Sequence, residues 1–207
     1  GTALLYLFAG VFAFIVAFRR RGDGTPPGFH RWWMLLLGAF CIFVAGEEVN
    51  WGQVYLQYET PELFNQANYQ DEVSLHNIRL PKYFFLGQMY WANEICMWIA
   101  LAGAAGPWLL CSFKRLRRFA WTWEIPIPPL LAQGFFAAGA LMPLDTEATM
   151  FGWQMRPTET REFSLAVAFA VWVYSERNRW RVYVDASQPQ TISRGSSADR
   201  SANSDVA

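Results

Sequence analysis

The side chains best suited to chemistry are acidic, amide and histidine residues that flank long apolar runs. The stretch Gly46-Glu47-Glu48-Val49-Asn50-Trp51-Gly52-Gln53 follows fourteen uncharged residues with no turn signal between them, so both carboxylates fall at or just inside a membrane boundary. On a helix, Glu47 shares a face with Asn50 and Trp51, and Glu48 points roughly 100° away. A carboxylate at that depth ordinarily faces a partner or a water-filled cavity. A second patch runs from Asn68 through Gln70, Glu72 and Ser74 to His76 and Asn77. If it is helical, Glu72 and His76 lie four apart on one face. That spacing suits a carboxylate-oriented imidazole or two ligands of one metal ion, and equally an ordinary surface pair. The third element is Glu94, about 11 residues into an apolar run, or roughly 17 Å down a helix and near mid-membrane. There it is either protonated and hydrogen-bonded to a neighbouring helix or a proton carrier, with Gln88, Asn93 and Gln133 as potential partners.

Three functions fit these residues. The first is a metal-assisted hydrolase or transferase acting on a lipid-like substrate. Glu47, Glu48, Glu72 and His76 would form the catalytic set, and Glu48, Glu72 and His76 would ligate one divalent ion that activates water. Asn50, Trp51, Gln53, Asn68, Gln70, Asn77 and Glu94 would line the binding site. The second is a non-catalytic membrane subunit whose polar cluster locks helices together. The third is a proton-coupled carrier using Glu94. With only two histidines, and His30 on the opposite side of the membrane, intramembrane hydrolases built on several His ligands are disfavoured, as are haem and chlorophyll sites. Neither HExxH nor Ser-His-Asp spacing occurs.

The elements that must position these groups are membrane helices. Of 207 residues, 53% are hydrophobic and 17% aromatic, and charge is confined to short blocks between long apolar runs. The expected fold is all-α, a polytopic transmembrane bundle of about five spans near 2–18, 32–52, 83–112, 126–144 and 163–178. Pro143 and Asp145 cut the fourth span short, so it is expected to be re-entrant or broken. The helical domain covers 1–186, and the Ser- and Asp-rich stretch 187–207 reads as a disordered tail. Thr60 as N-cap before Pro61 predicts a short interfacial helix over 61–69 on the outer face.

The net charge of zero conceals segregation by side. Arg19, Arg20, Arg21 and Arg31, then Lys114, Arg115, Arg117 and Arg118, then Arg177, Arg179 and Arg181 fall on one side if five spans alternate. Glu47, Glu48, Glu59, Glu62, Asp71, Glu72, Asp145, Glu147, Glu159 and Glu162 fall on the other. Because Lys and Arg mark the cytoplasmic face, the expected orientation puts the C-terminal tail in the cytoplasm and the polar cluster outside. The expected partners are the lipid bilayer and a second membrane protein or another copy of this chain; no basic groove points to nucleic acid. The eleven Trp residues read as interface anchors. Cys41, Cys96 and Cys111, an odd number without CxxC spacing, are expected to be small buried side chains. The first apolar run precedes its arginines, the reverse of a signal peptide, so the chain is expected to begin inside a longer protein.

Glu47, Glu48, Trp51, Gly52 and Gln53, followed by Asn68, Gln70, Glu72, Leu75, His76 and Asn77, spell E-E-x-x-W-G-Q and N-x-Q-x-E-x-x-L-H-N. Over residues 44–80 the chain resembles an uncharacterised family of bacterial multi-pass membrane proteins that carries this signature. The resemblance implies a multi-pass fold and a shared polar site, with no activity attached. The chain departs from the family pattern at Asn50, where Ser is usual, at Val54, where Arg is usual, and at Ser74, where Asn is common. Without that Arg, any anion-binding role it supplies elsewhere is missing here.

Overall fold

The computed structural model describes residues 1–19, 28–68, 72–76, 78, 91–142, 148–150, 153–155 and 157–187. The chain is helical. Five principal helices, α1 (Thr2–Phe18), α2 (Phe29–Glu48), α5 (Trp91–Ser112), α7 (Leu130–Leu141) and α8 (Pro157–Ser187), are joined by shorter ones, α3 (Gln53–Leu56), α4 (Glu62–Ala67) and α6 (Lys114–Thr122). The fold is all-α as expected, with one small addition. Ala148–Met150 (β1) and Trp153–Met155 (β2) pair antiparallel, with Thr149 opposite Gln154. The two intervening residues, Phe151 and Gly152, give the spacing a tight hairpin requires.

Helix packing runs in the order α2, α1, α8, α7, α5, so α8 lies in the middle with α1 and α7 on either side of it. Small residues make the α1–α2 contact close. A Cβ on Gly10 would stand 2.6 Å from Ile42 Cγ1, and one on Gly38 would meet the Gly10 carbonyl oxygen at 3.2 Å. Such contacts let two backbones approach closely without a hydrophobic drive between them. At the centre the Phe169 ring of α8 touches Tyr6 of α1, Phe40 of α2 and Phe136 of α7, with centroids 6.1, 5.5 and 5.2 Å away. Phe136 in turn lies against Gly103 of α5, where an added Cβ would sit 2.5 Å from the ring. Gly103→Ala is therefore expected to destabilise the protein by about 1–3 kcal/mol through overpacking. A thermal melt in detergent that matches wild type would refute that contact.

The helix ends follow from local sequence. The second run, expected to 52, stops at Glu48 because Asn50 and Trp51 take positive φ. The fourth, expected from 126, starts at Leu130, since proline at 126, 128 and 129 supplies no amide donors. The fifth begins early, at Pro157, which suits a first helical turn, and extends to Ser187, past the expected end at 178. The third is described from Trp91, so Glu94 stands in its first turn. The expected start at 83 lies outside the described residues, as does the expected tail from 188 onward. Pro61, not Thr60, caps α4, and no side chain bonds the free amides there. The Thr60 hydroxyl instead accepts the Gln53 amide at 2.7 Å. Cys41 is buried as expected, whereas Cys96 is partly and Cys111 fully exposed on α5.

Among the described residues two helices, Phe29–Glu48 and the Glu94–Ser112 part of α5, are long and apolar enough to cross a membrane, and only 28% and 11% of their apolar windows are buried. A core helix of a soluble domain would be covered. Here Leu36, Trp98, Trp108 and Leu109 face outward. α1 and α7 are apolar but shorter.

Candidate functional site

The site is built on the turn that ends α2. Asn50, Trp51 and Gly52 have φ of 48°, 52° and 87°, three successive left-handed residues that reverse the chain. Glycine takes this conformation freely and asparagine tolerates it, but a bulky residue such as Trp51 costs of order 1–3 kcal/mol. Three contacts offset that strain. The Trp51 indole Nε1 donates to Glu47 Oε1 at 2.6 Å. Its ring meets Phe43 edge-on at 5.8 Å. It also lies across Gly46, where an added Cβ would stand 2.9 Å from ring carbons. The Glu47–Trp51 pairing expected from helical spacing therefore forms, but across a reversal and not along a continuing helix.

Glu47 is 6% exposed and takes four hydrogen bonds. Its Oε2 accepts the backbone N–H of Leu75 at 2.6 Å and of His76 at 3.0 Å, and it lies 3.2 Å from His76 Nδ1. Consecutive amides converging on one oxygen form a small anion-binding concavity, with Trp51 closing the other side. The half-buried His76 imidazole is held above its ordinary value of 6.5 first by the Glu47 hydrogen bond, against the opposing effect of burial. Its Nε2 has no hydrogen-bond partner among the described residues.

Two amides tie the rest of the loop to this turn. Gln53 Oε1 accepts the Val73 N–H at 2.8 Å, and its Nε2 donates to Thr60 Oγ1. Asn68 is fully buried and donates through Nδ2 to the carbonyl oxygens of Glu72 and Ser74, both at 2.8 Å. Ser74 is likewise fully buried, and Asn68 also bridges to Ile78. Asn50 contributes its carbonyl oxygen, which accepts the Tyr58 hydroxyl at 3.3 Å.

The sequence-predicted residues thus divide. Glu47, Trp51, Gln53, Asn68 and His76 come together in one network. The expected helical pair of Glu72 with His76 does not form, because 72–76 is a bent loop and the imidazole turns to Glu47. Glu72 enters the network through its carbonyl. The expected metal ligands Glu48, Glu72 and His76 do not converge: among the described residues no three His, Cys, Asp or Glu side chains form a group able to hold a metal ion. Glu94, expected near mid-membrane, is buried in the first turn of α5. Gln70 and Asn77 lie outside the described residues.

Beside the site, α2 packs on α1, and α1 on α8. The residues that sequence reasoning missed come from those helices. Glu162 of α8 lies close enough to Glu48 and His76 to feel their charge, and the Tyr6 hydroxyl of α1 donates to the Glu162 carbonyl at 3.4 Å. Arg161 is fully buried. Its Nε donates to the Gly139 carbonyl at 3.1 Å and its Nη2 to that of Met142, capping the end of α7. One signal was available, since Arg161 is a cation on the face where the charge rule predicts few. At the opposite end of the bundle His30 Nε2 lies 3.0 Å from Glu176 Oε2, and its backbone N–H donates to Glu124.

Chemically, the arrangement is a carboxylate-oriented imidazole that also feels the charge of Glu162 and Glu48. It can hold a proton or an organic cation. Comparison with protein-family models, curated proteins and solved structures gives no match.

Proposed function

We propose that this chain is a multi-pass protein of a bacterial inner membrane, with α1, α2, α5, α7 and α8 as its spans, α4 at the outer interface and its C-terminal end in the cytoplasm. The polar cluster is, on this reading, a lock that fixes the 72–76 loop across the outer end of α2. The uncovered apolar faces of α2 and α5 support the membrane setting. So does the gathering of Arg31, Lys114, Arg118 and Arg177 toward the end of the bundle opposite Glu47. The observation that carries the lock is the saturation of Glu47, whose two oxygens are engaged by an indole, two backbone amides and an imidazole. A carboxylate so engaged is held by the loop it holds, three of its contacts falling on Oε2 and one on Oε1. The resemblance over residues 44–80 agrees with a shared structural motif.

The test is metal content and thermal stability of detergent-purified protein, wild type against Glu48→Gln and His76→Ala. The lock predicts no stoichiometric metal and a marked loss of stability in His76→Ala only. Metal bound in wild type and lost in both variants would overturn it in favour of the metal-assisted hydrolase or transferase.

One observation favours a second reading, an acid–base enzyme: the imidazole is oriented through Nδ1, and its Nε2 has no hydrogen-bond partner among the described residues, the posture of a general base. Both readings share a pH dependence. The folded value of His76 lies above 6.5, so its contribution to stability is fully present below 6.5 and is lost as pH rises through the folded value. Wild-type melting temperature should fall over that window, and His76→Gln should flatten the curve. An unchanged slope in the variant would show that another group titrates.

A further inference from the structure

α6 is separated from α5 by one residue, Phe113, whose extended backbone (φ −103°, ψ 120°) breaks the helix. If α5 crosses the bilayer, α6 must therefore begin at the membrane surface on the basic side. Its residues then sort by face. Leu116, Phe119, Ala120 and Trp123 recur at spacings of three and four along one stripe, and Lys114, Arg117 and Arg118 occupy the other side with Arg115 at its margin. All four cations are exposed, and none forms an ion pair with a carboxylate among the described residues. The helix is held in place from its apolar side. The Trp33 indole donates to the Trp123 carbonyl at 2.8 Å, and the Trp123 ring packs on Phe29 at 4.6 Å. The anchored stripe fixes the outward aim of the cations.

Four cations without a carboxylate partner among the described residues, crowded on a nine-residue helix, repel one another and attract an external counter-charge. We infer that α6 is a docking surface for the anionic headgroups of phospholipids in the leaflet on the basic side of the bundle. Charge complementarity selects the ligand, and exposed apolar side chains at Leu116 (42%), Phe119 (52%) and Trp123 (41%) fit the acyl boundary beneath those headgroups. This inference rests on the membrane reading above.

The full chain, purified in detergent, would be offered equimolar phosphatidylglycerol and phosphatidylcholine and the retained lipids counted by native mass spectrometry. Wild type should retain the anionic lipid at least about tenfold over the zwitterionic one, less so as salt is raised. The combined variant Lys114→Gln, Arg115→Gln, Arg117→Gln, Arg118→Gln should lose that preference. Arg115→Lys, Arg117→Lys, Arg118→Lys should keep it, because charge is conserved. Equal retention of the two lipids by wild type, or undiminished preference in the Gln variant, overturns the proposal. Displacement of phosphatidylglycerol by poly-glutamate at matched charge also overturns it, in favour of an acidic peptide partner. Alkaline carbonate extraction run alongside separates the two failures. Recovery of the chain in the soluble fraction sinks the membrane reading itself, whereas a membrane-bound chain without lipid preference sinks only the lipid surface.

Discussion

Replacing Glu47 by Gln should unfold the C-terminal end of α2 despite the near-identical shape of the two side chains. Both carboxylate oxygens accept, Oε1 from the Trp51 indole and Oε2 from the Leu75 and His76 amides. Whichever way a glutamine amide is turned, its NH₂ group faces N–H donors, so at least one buried donor loses its partner. The imidazole also loses its counter-charge. Losing hydrogen bonds to a buried charged acceptor costs about 3 kcal/mol. For a chain of this size that corresponds to a fall in melting temperature of roughly 10 °C. Trp51→Phe removes one of the four bonds and should cost about a third as much. A Gln variant melting with wild type would mean that the carboxylate does not hold the loop, and the lock would have to be abandoned.

Arg161→Met should produce the second large effect, at a different place. The methionine fills much of the same volume, but the carbonyl oxygens of Gly139 and Met142 lose the guanidinium that caps α7. Stranding such groups in a buried setting costs about 2–4 kcal/mol. Because the cap serves α7, hydrogen exchange should accelerate in its last turn, near Gly139 to Leu141, before it does in α2. Uniform acceleration through the whole bundle would show that Arg161 supports the fold generally and is not a local cap. Arg161→Lys should recover part of the loss, since an ammonium reaches one carbonyl more readily than two.

The helices were legible because apolar runs with charged ends have few alternatives: α1 coincides with the expected run 2–18. Their ends were less so. Trp51 shows why, since its spacing from Glu47 fits a helix equally well, and only the neighbouring Asn50 and Gly52 hint at a reversal. The pairing of His76 with the 47–48 carboxylates could be anticipated from two polar patches bordering one loop. Which carboxylate it chose could not, because that depends on a loop conformation set by buried amides at Asn68 and Gln53. Glu162 and Tyr6 were invisible for a topological reason. They are 156 positions apart in the chain, and no local pattern says that α8 returns to lie against α1. The hairpin at 148–155 carried too few residues for a period-two signal to stand out.

The packing order has a consequence for biogenesis. α8 lies between the α1–α2 pair and the α5–α7 pair, which share no substantial surface with each other among the described residues. Until α8 is made, neither pair has the apolar surface around Leu165 and Phe169 against which Tyr6, Phe40 and Phe136 pack. A chain cut before α8 should therefore expose the inward faces of both pairs and gain sensitivity to protease.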